Sequence, residues 1–313
     1  MTGAPWTDES LPVRLVSRLT TELGLMNLPQ AHRLVLGRLE TAIVGQALLR
    51  GALPLLTGSG QAALPTTRPL IGSISSVARS FARSPETIRR HVHALVGKGY
   101  FAVEQDGVRL APSAEAGERI LAYLRRAHDH MLWLVEELDS WGLVTHRTAG
   151  KPRAASFELI VRTAMDLRLH GVESFRGPLG GWTSMALWNA LSAVSVRHIT
   201  IDRRLSGMFT RESTPDALRR PTSARVLSAM SGLPYATVWR LLAAHADGGT
   251  VARRDEGYVM LTGQLLTPEI EGRVRQFVRH VLDRVDRLVA AGVDPGAIPS
   301  LYLGGRPELV PIG

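Results

Sequence analysis

The strongest constraint on this chain is that it repeats itself. Residues 86–110 (ETIRRHVHALVGKGYFAVEQDGVRL) align without a gap to residues 236–260 (ATVWRLLAAHADGGTVARRDEGYVM) at an offset of 150, and Thr87, Arg90, Ala94, Gly99, Ala102 and Gly107 meet identical residues. The offset then becomes 154. Residues 115–135 align with 269–289, where Arg119, Arg125, Asp129, Leu134 and Val135 recur identically. A duplication of this length sets the domain plan before any single motif does. It predicts two halves, residues 1–144 and 156–313, joined by a polar, Gly- and Pro-containing linker over 145–155. A chain of 313 residues with 45% hydrophobic content has the core material for two domains, each with its own core.

Each copy reads as helix, tight turn, helix and hairpin. In the first, Ser73 is placed to cap a short helix, and Ser84-Pro85 is a favoured N-cap and first-turn pair for the next. Ile88, Val92 and Leu95 follow the spacing of one apolar helical face. The opposite face then offers Glu86, Arg89, Arg90 and His93, with Thr87 at its flank. The Asp106-Gly107 pair between alternating apolar residues predicts a hairpin over 100–110. In the second copy the short helix falls at 226–231, Gly232 makes the turn, and the helix at 235–246 buries Val238, Leu242 and His245. It exposes Trp239 and Arg240, with Tyr235 and Thr237 beside them. Arg109 in the first hairpin and Arg253 and Arg254 in the second complete the candidate surface.

With these residues in place, each half resembles a winged helix-turn-helix of the MarR-like type among bacterial transcription regulators. The carriers are VARSFARSPETIRRHVHALVGKGYF (residues 77–101) and VLSAMSGLPYATVWRLLAAHADGGTV (residues 226–251), each followed by a hairpin and a long helix. The expected fold is mainly α with small β-hairpin wings. Helix-turn-helix units lie at 73–97 and 222–247, wings at 100–110 and 250–261, and long helices at 113–140 and 267–291. Apolar residues in the long helices recur in steps of four and three, as in Ile120, Leu124, Ala127, Met131, Leu134 and Leu138 and again in Val274, Val278, Val281, Val285 and Leu288. That spacing predicts a coiled-coil-like seam. The resemblance implies that the seam joins two DNA-binding units into an internal pseudo-dimer, or alternatively joins two chains as a homodimer.

The implied partner is double-stranded DNA, read by Arg89, Arg90 and His93 in one half and by Arg240 with Trp239 in the other, with Glu86 accepting from cytosine. Wing arginines would touch phosphates. A net charge of +9 and an isoelectric point near 10.8 fit a polyanionic partner. The alternatives are an origin-binding protein of the replication-initiator kind and a winged-helix scaffold for protein partners. Zero cysteines exclude disulfides and thiolate chemistry. No nucleophile elbow, metal-binding helix, phosphate loop or carboxylate pair appears, so the expectation is no enzyme, no cofactor and no metal. His91/His93 and His128/His130 stand two apart, which is poor metal-ligand spacing on a helix. Trp133, Trp141, Trp182 and Trp188 read first as core and otherwise as the lining of a small-molecule effector pocket. No apolar run of about 18 residues and no secretion signal are evident, which predicts a soluble cytoplasmic protein. Residues 211–220, rich in charge, read as a solvated linker.

Overall fold

The computed structural model describes residues 6–35, 38–57, 63–145, 156–177 and 179–312; most of the expected 145–155 linker lies outside them. The fold is mainly helical, with two small antiparallel sheets. In the first half, α1 (Val13–Val35) and α2 (Leu39–Leu56) precede β1 (Leu70–Gly72), α3 (Ile74–Ser80), α4 (Pro85–Val96), β2 (Phe101–Glu104), β3 (Gly107–Leu110) and α5 (Ala114–Ser140). In the second, α6 (Phe157–Arg176), α7 (Trp182–Ile201) and α8 (Arg203–Met208) precede α9 (Ala224–Ser231) and α10 (Tyr235–Asp247). There follow β4 (Val251–Arg254), β5 (Gly257–Met260), α11 (Thr262–Leu265), α12 (Pro268–Ala290) and α13 (Ile298–Leu301).

The local reasons for these elements repeat with the sequence. Ser73 and Ser223 cap α3 and α9 through their hydroxyls, accepting from Ser76 N and Val226 N. Ser84 caps α4, where its counterpart Pro234 offers no side-chain acceptor. Ser113 and Thr267 cap α5 and α12. Both hairpins pair in the same register, Phe101 with Leu110 and Val251 with Met260. A feature absent from the sequence reading is a third strand on the first hairpin, matched on the second by a single-residue bridge. β1 pairs with β3 at Gly72–Val108, and the single bridge Thr222–Tyr258 stands 150 residues later at the same point.

Two cores exist, but they divide by layer and not by half. One gathers the C-terminal part of α1, α2, α4, the first half of α5, α6, α7, α9 and α10. The other gathers α1, the second half of α5, α6 and α12. The first helix of each half lies on the second helix of the other, α1 on α7 and α6 on α2. An ion pair pins each crossing, Glu22 with Arg197 at 2.5 Å and Asp166 with Arg50 at 2.5 Å.

The expected seam is therefore corrected. The main neighbours of α5 are α1 and α6, and those of α12 are α6 and α1, so neither long helix packs chiefly on the other. The reason is visible in α5, where every residue from Ala127 to Val135 is buried. A helix apolar on one narrow stripe makes a coiled coil, whereas one buried all round sits inside a bundle.

Two further expectations change, and one feature is new. α2 is long and apolar enough to cross a membrane, but 67% of it is buried inside the fold, which is the position of a core helix. The stretch 211–220 is partly packed: Thr214 is buried, Arg219 lies 3.3 Å from Asp216, and Arg220 N donates to Ser195 O. Beyond α12 a C-terminal strap returns over α5. Leu303 N and Gly304 N donate to Asp129, and Tyr302 donates to Glu136.

Candidate nucleic-acid interface

α4 owes its orientation to its apolar face. Ile88, Val92 and Leu95 are fully buried, and half-buried His91 is hydrogen-bonded to Thr41 of α2 at 3.0 Å. That burial holds the His91 imidazole below its ordinary pKa, which favours the neutral ring. α10 is anchored in a parallel way. Val238 and Leu242 are buried, and His245 lies 3.0 Å from Ser184 and edge-on to Trp188 of α7.

The outward faces differ. On α4, Glu86, Arg89, Arg90 and His93 are exposed, and Arg89 donates to Glu86 at 2.8 Å. Thr87 is half-buried at the flank, its hydroxyl 2.8 Å from that of Ser84 in the helix cap. On α10, Tyr235 and Trp239 are 54% and 55% exposed, one turn apart beside Arg240, while half-buried Thr237 lies at the flank. Such exposure of two large rings on one helix is unusual enough to ask for a function.

The wings also differ. Arg109 is half-buried and spoken for: its guanidinium lies 2.6 Å from Glu104 and 2.5 Å from Asp106 and donates to Arg68 O. Arg253 and Arg254 are exposed, and among the described residues neither has a carboxylate within 4.0 Å. The same holds for Arg90 and Arg240. Two cations that the sequence reading passed over, Arg79 on α3 and Arg225 on α9, are exposed and unpaired in the same sense. The signal for them was their place on the short first helix of each unit, opposite its buried residues.

Of the tryptophans, Trp133, Trp182 and Trp188 are buried in the cores, and Trp188 lines a cavity among α1, α2, α6, α7 and α12. The histidine pairs split as their spacing predicts. His93 is exposed while His91 faces α2; His128 pairs with Asp129, and His130 with Asn27. Among the described residues no group of three or more His, Asp or Glu could hold a metal ion. No protein-family model, curated protein or solved structure matches the chain.

Proposed function

We propose that this chain is a non-enzymatic, cytoplasmic, sequence-specific binder of double-stranded DNA that regulates transcription, with tandem winged helix-turn-helix units fused as an internal pseudo-dimer. The reading is carried by one observation. A capped or Pro-started helix with an outward arginine follows a tight turn and precedes a hairpin, and this arrangement occurs twice at an offset of 150 with Arg90 and Arg240 at the matching point. Both arginines are exposed and, among the described residues, without a carboxylate partner, the state required of a group that exchanges water for a guanine edge or a phosphate. α4, with its denser polar face, supplies most base contacts; α10 and the second wing supply backbone and stacking contacts.

The test is selection of genomic fragments by the purified chain at about 150 mM salt, where sequence-indifferent phosphate binding is weak. Enrichment of a few sites upstream of genes, each with two unequal half-sites about one helical turn apart, supports the reading. An enriched repeat array moves it to origin binding. No enrichment moves it to the protein-interaction scaffold, the second reading, which draws on the exposed Tyr235 and Trp239.

A further inference from the structure

Between α1, α2, α6, α7 and α12 lies a cavity of about 310 Å³, at the lower end of the range for small-ligand pockets. Most of its lining is apolar, with Leu28, Ile43, Val172, Phe175, Trp188 and Phe277, although Asn27, Asn189 and Arg168, whose Nη1 is shielded and has no acceptor among the described residues, also reach it. One end is different. Arg14, Arg18 and Arg219 all line it, together with Thr262. Among the described residues, the Nε of each of these three arginines and the Thr262 hydroxyl are shielded from solvent and have no hydrogen-bond partner.

The charges at this end do not balance. Arg14 pairs with Glu271 at 2.5 Å and Arg219 lies 3.3 Å from Asp216, outside hydrogen-bond geometry for its Nε. Arg18 is 7% exposed and has no carboxylate within 4.0 Å among the described residues. It donates instead to Phe209 O at 2.6 Å and to Ser206 O and Oγ at 3.1 and 2.8 Å. Three guanidiniums therefore face two carboxylates. Burial first, and then the nearby Arg219, pull the pKa of Arg18 down to about 10, which is the mark of a cation lacking a counter-charge. A buried charge left uncompensated costs several kcal/mol, and unpaired buried N–H groups add to the cost. Such a cluster beside a largely apolar cavity suits an anion that also has an apolar body.

We propose that this cavity binds a small amphipathic organic acid, its carboxylate held by Arg18, Arg14, Arg219 and Thr262 and its apolar body lying along Phe175, Trp188 and Phe277. Because α1 and α2 belong to one half and α6, α7 and α12 to the other, the ligand bridges the two halves. The site stands on the cavity alone and holds whether or not α4 and α10 bind DNA.

The experiment is calorimetric titration and thermal melting of the full chain with decanoate and with naphthaleneacetate, each against its amide, which keeps the shape and removes the charge. The expected result is binding and a raised Tm with at least one acid, and binding of the matching amide weaker by about tenfold or more, the worth of a charged hydrogen bond. In Arg18→Met the acid loses its advantage over the amide. Since Arg18 also holds the 206–209 segment, Thr262→Val serves as a second variant. It removes a hydroxyl that lacks a partner, so the unliganded Tm holds or rises while the acid binds severalfold more weakly. Failure of both acids to bind, equal binding of acid and amide, or undiminished acid binding by both variants overturns the proposal.

Discussion

Arg197 of α7 grips Glu22 of α1 with two nitrogens, Nε at 2.8 Å and Nη2 at 2.5 Å, and both residues are buried. The counterpart crossing, Arg50 with Asp166, uses the same fork at 2.5 and 3.2 Å but is half-exposed. Geometry alone does not set the energetic weight of the two pairs; burial does. Arg197→Met leaves the Glu22 carboxylate buried without its partner and is expected to cost about 3–5 kcal/mol. Arg50→Met leaves a carboxylate that water reaches and is expected to cost about 1 kcal/mol or less. Urea denaturation of both variants measures the contrast, and equal losses would refute the assignment of Glu22–Arg197 as the buried lock between the halves.

Ala82 and Gly232 stand at the same point of the two copies and share a left-handed backbone, φ 46° and 69°. Ala82 is the only described non-glycine residue with positive φ, and its Cβ makes that conformation cost about 1–2 kcal/mol. Ala82→Gly trades this strain for extra unfolded-state entropy and is expected to stabilise by about 0.5–1 kcal/mol. Gly232→Ala is expected to destabilise by a similar or larger amount. Thermal melting of the two single variants decides it by the opposite signs of their Tm shifts.

Much of the fold was legible because caps, turns and apolar spacing are local. Ser73, Ser84, Ser113 and Thr267 announce helix starts, and Asp106-Gly107 announces a hairpin. The crossing of the halves was not legible, because Glu22–Arg197 and Arg50–Asp166 span 175 and 116 residues. No periodicity within α1 or α6 reveals which helix they lie on. The seam in α5 was visible as steps of four and three, but the burial of His128, Asp129 and His130 between those steps depends on partners elsewhere in the chain. On the candidate surface, the residue types were readable while their engagement was not. Nothing in the sequence says that Arg109 is held by Glu104 and Asp106 while Arg253 meets no carboxylate among the described residues.

Gly107 is expected to be the most sensitive position in the first hairpin. Its φ is 141°, and an added Cβ would meet Gly72 O of β1 at 2.4 Å; at Gly257 the corresponding contact is Thr222 O at 2.5 Å. In both cases the obstacle is backbone, which cannot swing away as a side chain does. Gly107→Ala and Gly257→Ala are each expected to lose about 2 kcal/mol or more and to expose to exchange the amides of β1 and of the Thr222 bridge, respectively. Hydrogen exchange at residues 70–72 and near 222 reports the loss, and unchanged protection there would show that the third strand does not depend on the close approach.

Acid should loosen the bundle. His130 is buried against Asn27, whose Oδ1 lies 2.9 Å from its Nδ1. Burial, then Arg168, pull its pKa down from 6.5 to about 4, with Asp129 opposing. A depressed folded-state value means that the unfolded chain takes up the proton first. The stabilisation is therefore complete above about pH 6.5 and is lost as pH falls towards 4, amounting to about 3 kcal/mol. His91, His170, His198, His245 and His280 are shifted the same way by burial and steepen the slope. Chemical denaturation at stepped pH from 4 to 7 should show this fall, and His130→Gln should flatten part of it.

The proposed DNA surface makes its sharpest forecast at the arginines, because their present partners differ. Arg90 is exposed without a carboxylate within 4.0 Å among the described residues, so Arg90→Ala removes a group ready to bond a base edge. The expected loss is about 1–3 kcal/mol of affinity, with specificity relaxed at the contacted position. Arg253→Ala removes a wing contact to phosphate, weakening all sequences alike and lowering the salt slope by about 1. Arg109→Ala should change affinity little, since Glu104 and Asp106 already neutralise that guanidinium. Glu86→Gln should strengthen binding by freeing Arg89 from its 2.8 Å partner and removing a negative charge from the face, unless Glu86 itself accepts from a cytosine, in which case the variant loses discrimination at that base. Salt-dependent binding curves for the four variants on a selected site separate these roles. If Arg90→Ala and Arg109→Ala lose the same affinity, the division into engaged and free arginines does not govern binding and α4 is not the reading helix.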